Sequence, residues 1–228
     1  MAPRVINPTR HAARRDEFID AAQRLIITHG YEQMAIEDLL AETGASKGAF
    51  YHYFGSKADL LEAVTERMGE QAMAAVKPVL DDHDSPALDR LQRIFSEAGA
   101  WKTGHKEFLT ALMRSWFSDD NALVREKVRR WTNVLLGPAL AGVLRDGIDQ
   151  GVVTLAEPDE LAGVVVGLLF DGGIAIGELY LRHLEGGGQL DAARRSAAAY
   201  SRALERLLGT PVGSLAVVSD ETLRFWFD

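Results

Sequence analysis

There is no cysteine among the 228 residues. That excludes a disulfide scaffold, a thiolate nucleophile and a cysteine metal site, and it is compatible with a reducing compartment. The first fifteen residues are basic but lack a continuous apolar segment, so they do not read as a signal peptide, and a cytoplasmic location is expected. No run alternates in the manner of a half-buried strand, no internal repeat is found, and no tract is of low complexity. Histidines 11, 29, 52, 83, 105 and 183 make no metal-ligand spacing. A Ser-His-Asp order and a glycine-rich phosphate loop are equally absent, so neither cofactor nor metal is expected and the chain does not read as an enzyme.

What is present is an ordinary globular composition, 47% hydrophobic and 25% charged, sufficient for a substantial core. The formal net charge of -8 argues against a polyanion partner until it is divided along the chain. Residues 1–57 hold seven Lys or Arg against seven Asp or Glu, whereas residues 58–228 hold 18 against 26. All the excess acid therefore lies outside the N-terminal quarter.

Helical periodicity dominates, and the fold class is all-α. Phe18, Ala21, Ala22, Leu25 and Ile26 recur at i, i+3, i+4, i+7 and i+8, the stripe of a core-facing helix over 14–29, with Gly30 as its stop. A short helix follows that buries Ile36, Leu39 and Leu40. Thr43-Gly44-Ala45-Ser46 then combines a glycine stop with a serine able to cap a helix starting at Lys47, which makes a tight helix-turn-helix. Ser56 followed by Asp59 predicts a capping box for the next helix, with Leu60, Leu61, Val64 and Met68 on one face. Beyond it the chain reads as helix, with breaks at Pro78, Ser85-Pro86, Thr103-Gly104, Ser118-Asp119, Gly151, Glu157-Pro158 and Gly186-Gly187-Gly188. A helix over 120–149 contains Gly137-Pro138, and a kink is expected there. From Thr210 the tail reads as an irregular link whose Leu223, Phe225, Trp226 and Phe227 dock on the body.

On a wheel of 100° per residue, Lys47, Gly48, Tyr51 and His52 share one arc, and Ala49, Phe50 and Tyr53 lie opposite. One face can pack while the other offers a cation, a phenol, an imidazole and a gap. Lys47 suits phosphate, Ser46 and the helix N-terminus supply N–H groups and a favourable dipole, and His52 suits a base edge in the major groove. Lys57 can hold the adjacent backbone and fix register. The alternative is a helical hairpin whose tyrosines merely pack and whose lysines are solvated.

The string Gly44-Ala45-Ser46-Lys47-Gly48-Ala49-Phe50-Tyr51-His52-Tyr53-Phe54-Gly55-Ser56-Lys57, preceded by Gly30-Tyr31, closely resembles the recognition region of TetR-family repressors. The resemblance is strong over 14–70 and architectural beyond. It implies a ligand-responsive repressor that binds double-stranded operator DNA as a dimer and is released by a small apolar or amphipathic effector. Carried over position by position, it implies DNA contacts at Ser46, Lys47, Gly48, Tyr51, His52 and Lys57, with Tyr53 beside them. The chain departs from the family at Met34-Ala35-Ile36-Glu37, where Thr-Ser and a following basic residue are common. The missing hydroxyl removes a cap worth about 0.5–2 kcal/mol, and Glu37 opposes DNA if it faces the backbone. A basic arm of Arg4, Arg10, His11, Arg14 and Arg15 can offset this by entering a minor groove.

The expected organisation is thus a basic arm over 1–13, a DNA-binding head over 14–74 with its recognition motif at 37–56, an effector and dimerisation body over 75–210, and a docked tail over 211–228. Leu161 to Leu181 is apolar enough to raise a membrane span, but Asp171, Glu178 and five glycines argue for a buried protein helix, since a charge in lipid costs roughly 2.5–3.5 kcal/mol. Gly163, Gly167, Gly173 and Gly177 on a helix over 158–184, with Ala193, Ala197, Tyr200, Leu204 and Leu207 on one over 190–208, predict a homodimer interface. Trp101, Phe108, Met113, Trp116, Phe117, Trp131 and Phe170 are candidates to line an effector cavity, with Asp171 and Glu178 as polar anchors. The competing function is a helical small-molecule binding protein or enzyme that retains a vestigial head.

Overall fold

In the computed structural model, which describes residues 8–154 and 157–228, every regular element is helical and no strand occurs among the described residues. The helices are α1 (Pro8–His29), α2 (Ile36–Thr43), α3 (Lys47–Tyr53), α4 (Lys57–Leu80), α5 (Ala87–Gly104), α6 (Lys106–Trp116), α7 (Ala122–Asp149), α8 (Pro158–Gly186), α9 (Leu190–Leu208) and α10 (Asp220–Phe227), with a 3₁₀ turn at Asp119–Asn121. Contacts divide the chain into two units, Met1–Arg67 with Glu107–Arg125, and Met68–Lys106 with Glu126–Asp228.

In the first unit, α1 begins before the expected residue 14, at Pro8, because proline at a helix start loses no hydrogen bond and Ala12 and Ala13 are strong helix formers. What the sequence suggests as an arm is thus helical from Pro8 on, while Arg4 and the side chain of Arg10 lie outside the described residues. Phe18, Ile19, Ala21, Ala22 and Ile26 are fully buried, as the stripe predicts. Gly30, at φ 80, ends the helix in a conformation that a Cβ would penalise. In α2 only Leu39 is fully buried, with Ile36 and Leu40 half-buried. The same unit holds α6, which buries Phe108, Leu112 and Ser115, and Asn121 closes its end by donating to the Ser115 carbonyl at 2.9 Å.

The second unit packs α5, α7, α8, α9 and the end of α4 around one core that includes Val79, Leu91, Val143, Leu144, Val165, Leu204 and Leu208. Pro78 does not break α4; it sits in the last turn, and the helix stops two residues later at Leu80. Pro138 lies within α7, which runs unbroken from Ala122 to Asp149. The stops at Gly151 and Gly187 fall where the sequence places them, both with positive φ. The tail does dock, but as a helix that periodicity did not announce. The Ser219 hydroxyl accepts from the Thr222 N–H at 3.1 Å, Leu223 and Phe227 are buried, and Lys106 donates to the carbonyls of Phe225 and Trp226 at 2.7 and 3.3 Å.

The Leu161–Leu181 segment is the core of α8. This helix is long and apolar enough to cross a membrane by length and composition; its most apolar stretch has mean hydropathy 1.8, yet only 28% of that stretch is buried within the chain. The expectation of a buried helix holds for the side that α9 covers: the ring of Tyr200 lies so close to Gly172 that a Cβ there would sit 3.1 Å away.

Arg90 is the largest fully buried side chain, and the sequence gives no sign of it. Its guanidinium donates to the carbonyls of Val79 and Leu80 and to the carboxylate of Asp146, which His83 also approaches at 3.3 Å. Arg90 thereby satisfies the C-terminal carbonyls of α4, which have no partner inside their own helix. Its hydrogen bond holds the Asp146 carboxyl below the ordinary carboxylate range, against the opposing effect of burial. A depressed folded-state pKa means stabilisation that is complete above the ordinary carboxylate pKa and is lost as pH falls through the depressed value. Asp146→Asn is expected to lower unfolding stability by about 1–3 kcal/mol at neutral pH and to make the urea midpoint less sensitive to acidification than that of the parent protein. An acid dependence identical in both would remove the assignment.

Candidate nucleic-acid interface

The turn between α2 and α3 is built as the sequence requires. Gly44 takes the left-handed conformation at φ 61, and its N–H closes α2 on the Leu40 carbonyl. Ser46 is extended at φ -80, ψ 156, and its hydroxyl accepts from the Ala49 N–H at 3.2 Å, which starts α3. The hydroxyl missing at residue 35 is compensated in part: Asp38 accepts the Ala35 N–H at 2.8 Å, the carboxylate half of a capping box.

Phe50 sets the rotation of α3. It is fully buried, meeting Phe18 edge-on at 5.7 Å and Phe54 at 5.7 Å. With Phe50 inward, Ser46, Lys47, Gly48, Tyr51 and His52 are all exposed. Of the six expected contact residues, five are exposed on α3 and its N-cap, and Lys57 is half-buried at the start of α4. A Cβ at Gly48 would meet nothing closer than 4.0 Å, so no neighbour within the chain demands glycine there. Its small size matters outward, where it lets another surface approach the backbone.

Three electrostatic details bear on this surface. Glu37 lies 3.8 Å from Lys47, both well exposed, and such surface pairs are worth about 0–1 kcal/mol, too little to hold Lys47 away from a phosphate. Lys57 donates to the Glu32 carbonyl at 3.1 Å and sits 4.4 Å from the centre of the Tyr31 ring; desolvation lowers its pKa, with Glu32 opposing. Burial pushes the Tyr31 phenol up to about 12, so it stays neutral beneath the ammonium. The sequence reading missed Tyr31 as the seat of Lys57; the Gly30-Tyr31 pair was the available signal. It also placed His11 in an arm, whereas the His11 ring lies 4.6 Å from Tyr53 and 5.5 Å from His52, itself 5.1 Å from Tyr53.

The residues suggested for an effector cavity fall in both units. Phe108, Met113, Trp116 and Phe117 belong to the first, and Trp101, Trp131, Phe170, Asp171 and Glu178 to the second. Phe108 is buried in its unit's core, and Met113, Trp116 and Phe117 are half-buried. In the second unit Trp101 stacks on His105 at 4.3 Å, and the Trp131 ring lies directly against the backbone at Gly69. Phe170 is half-buried, while Asp171 and Glu178 are exposed. Lys102, beside Trp101 in sequence, is exposed. A recess of about 230 Å³ in the first unit, lined by Glu17, Asp20, Arg24, Glu42 and Thr43, is polar and unlike an apolar effector cavity.

The chain matches the model of the family described as "Bacterial regulatory proteins, tetR family" over residues 18–64. It is 26% identical over 147 residues to the uncharacterised helix-turn-helix-type transcriptional regulator YerO of Bacillus subtilis, covering 63% of this chain and 51% of that one. The chain spans about half the length, or less, of the curated relatives it first matches. Among solved structures it is similar to a TetR transcription regulator from Haloarcula marismortui, with TM-score 0.60, 24% identity and coverage of 84% of this chain and 98% of that one. It is also similar to RolR in complex with resorcinol, with TM-score 0.60, 19% identity and coverage of 96% of each chain.

The cap predicts its own test. Ser46→Ala removes the acceptor for the Ala49 N–H and is expected to lower the stability of the head by about 0.5–2 kcal/mol, read as a lower thermal midpoint, with Ser46→Asp retaining the parent value; equal loss in both variants would contradict the capping role.

Proposed function

We propose that the chain, which matches the TetR family model over residues 18–64, is a ligand-responsive transcriptional regulator of that family that binds a palindromic DNA operator as a homodimer and represses from it. The observation that carries this reading is the exposure of Lys47, Gly48, Tyr51 and His52 on a capped helix whose opposite face is anchored by the buried Phe50. A helix offering its N-terminus, a cation and an imidazole on one side matches the width and chemistry of the major groove. Ser46 and Lys47 contact phosphate, His52 and Tyr51 address base edges, and Lys57 holds the flanking backbone from its seat on Tyr31.

Dimerisation through α8 and α9 brings two heads onto the half-sites. What supports it is α8 itself, whose most apolar stretch is only 28% buried within the chain, with Val164 54% and Leu184 42% exposed and open space above Gly167 and Gly173. The expected locus of action is the cytoplasm, where the operator lies. A small effector bound in the helical body favours a state in which the heads are wrongly spaced, and operator must then weaken effector binding by the same factor. Trp101, Trp131 and Phe170 supply apolar surface for such a ligand, and the exposed Lys102, next in sequence to Trp101, offers a cation for an acidic group. The resorcinol complex of RolR, which shares the fold, is a small aromatic precedent of this size class.

Selection of bound sequences from a random DNA pool tests the reading, with a palindrome as the expected product. Lys47→Ala is expected to weaken binding uniformly across sequences and to reduce the salt slope by about one, whereas His52→Ala is expected to relax base preference at one position per half-site. Glu37→Gln, which removes the acid beside Lys47, is expected to tighten binding to all sequences alike at low salt. Absence of any enriched sequence would refute the proposal, and identical selectivity in the two alanine variants would refute the division of roles.

A further inference from the structure

His11 belongs to α1, yet its ring packs on the C-terminal turn of α3, 4.6 Å from Tyr53 and 5.5 Å from His52, with the His52 and Tyr53 rings 5.1 Å apart. Three rings from two helices thus meet at the outer edge of the reading surface. Tyr53 is itself tied inward, 5.9 Å from the buried Phe18. His52, by contrast, is exposed, and the ring contacts recorded for it are those with His11 and Tyr53. An exposed imidazole with two rotatable bonds ordinarily samples several rotamers, and a base-reading side chain held in one of them discriminates better because less freedom is lost on binding.

We infer that His11 is a specificity-positioning residue: packed with Tyr53, it orients the His52 imidazole for base recognition, and so the first helix helps to choose the operator sequence. The inference rests on the DNA-binding reading above and assigns His11 a role other than the minor-groove contact expected of an arm. The two imidazoles approach edge-on, at an interplanar angle of 75°, and His52 stays exposed in that arrangement. His11 acts through His52, so its effect must vanish when His52 is gone.

The test is a position-resolved selection from a random DNA pool with the full chain and its His11→Ala, His11→Phe, His52→Ala and doubly substituted variants. Thermal unfolding and the salt dependence of non-specific binding are measured alongside. His11→Ala is expected to flatten base preference by roughly fivefold, the scale of one modest base contact, at the same position that His52→Ala flattens. The salt slope should not change. His11→Phe, which keeps a flat ring against Tyr53, is expected to restore the preference, and adding His11→Ala to His52→Ala should change the profile no further. An unaltered profile in His11→Ala, flattening at a different position, additive loss in the double variant, or a Phe variant as flat as the Ala variant would each overturn the inference while leaving the DNA-binding reading intact. A parent protein that enriches no sequence would overturn both.

Discussion

The recognition surface depends on one buried junction, the contact of Phe18 in α1 with Phe50 in α3. Helix α3 has seven residues, far below the length at which a helix is stable alone in water. Its existence therefore rests on tertiary burial. Phe50 and Phe18 are both fully inaccessible, and each buried aromatic of this kind contributes about 1.5–3 kcal/mol, with a further ~0.5–1.5 kcal/mol from the edge-on pairing. The same contact fixes the helix's rotation. At 100° per residue, once residue 50 points inward, residues 48 and 52 lie about 160° away on the opposite side, with 51 and 47 at about 100° and 60° on the flank between. Packing and presentation are one constraint here, which is why a single apolar side chain governs the orientation of four polar or small ones.

Charge counting along the chain gives a head of zero net charge, an unpromising partner for a polyanion. The count weighs all acids equally, and the structure does not. Asp20 lies 2.7 Å from Arg67 and Glu42 lies 2.5 Å from Arg24, while Glu17 pairs with Arg14 and Asp38 takes a backbone N–H. Asp20 and Glu42 join helices of the head to one another, and Glu17 and Asp38 are taken up within α1 and at the start of α2. Of the acids on α2, only Glu37 stands beside a cation of the recognition helix, at a distance and exposure where the pair contributes little. A head can thus be neutral in sum and still present a cationic helix end, because the field that an approaching phosphate meets is set by the nearest exposed groups within a Debye length of about 8–10 Å.

Most of the fold was legible because its signals are local. The Phe18-to-Ile26 stripe, the Gly44 and Ser46 punctuation and the glycine stops at 151 and 187 each act within a few residues, so periodicity and capping rules locate them. What could not be read depends on distant partners. Arg90 looks like any surface arginine in sequence; only the meeting of the α4 C-terminus with Asp146 makes its burial tolerable. Lys57 reads as a free phosphate ligand until Tyr31 and the Glu32 carbonyl are found beneath it. The start of α1 was placed late because arginines and a histidine, polar all round, gave no stripe to follow, although proline and two alanines favour helix there. Helix α10 escaped for the opposite reason, since eight residues with a capping serine are too short for periodicity to stand out.

The reading of α8 turns on a comparison that neither composition nor burial makes alone. A helical stretch with mean hydropathy 1.8 is ordinarily enclosed by its own chain or by lipid, yet only 28% of this one is buried. Asp171 and Glu178 stand exposed on it, which a lipid environment would penalise by a few kcal/mol each. Its glycines divide the surface further. Gly172 is needed inside the chain, where the Tyr200 ring lies against it, whereas Gly167 and Gly173 face open space. Glycine has no side-chain rotamers to lose, so covering Gly167 and Gly173 costs no side-chain entropy at those positions. Gly167 and Gly173, with nothing in the chain within reach of a Cβ, leave room on that side of α8 for another helix to approach closely, and it is on this feature that the proposed two-fold pairing rests.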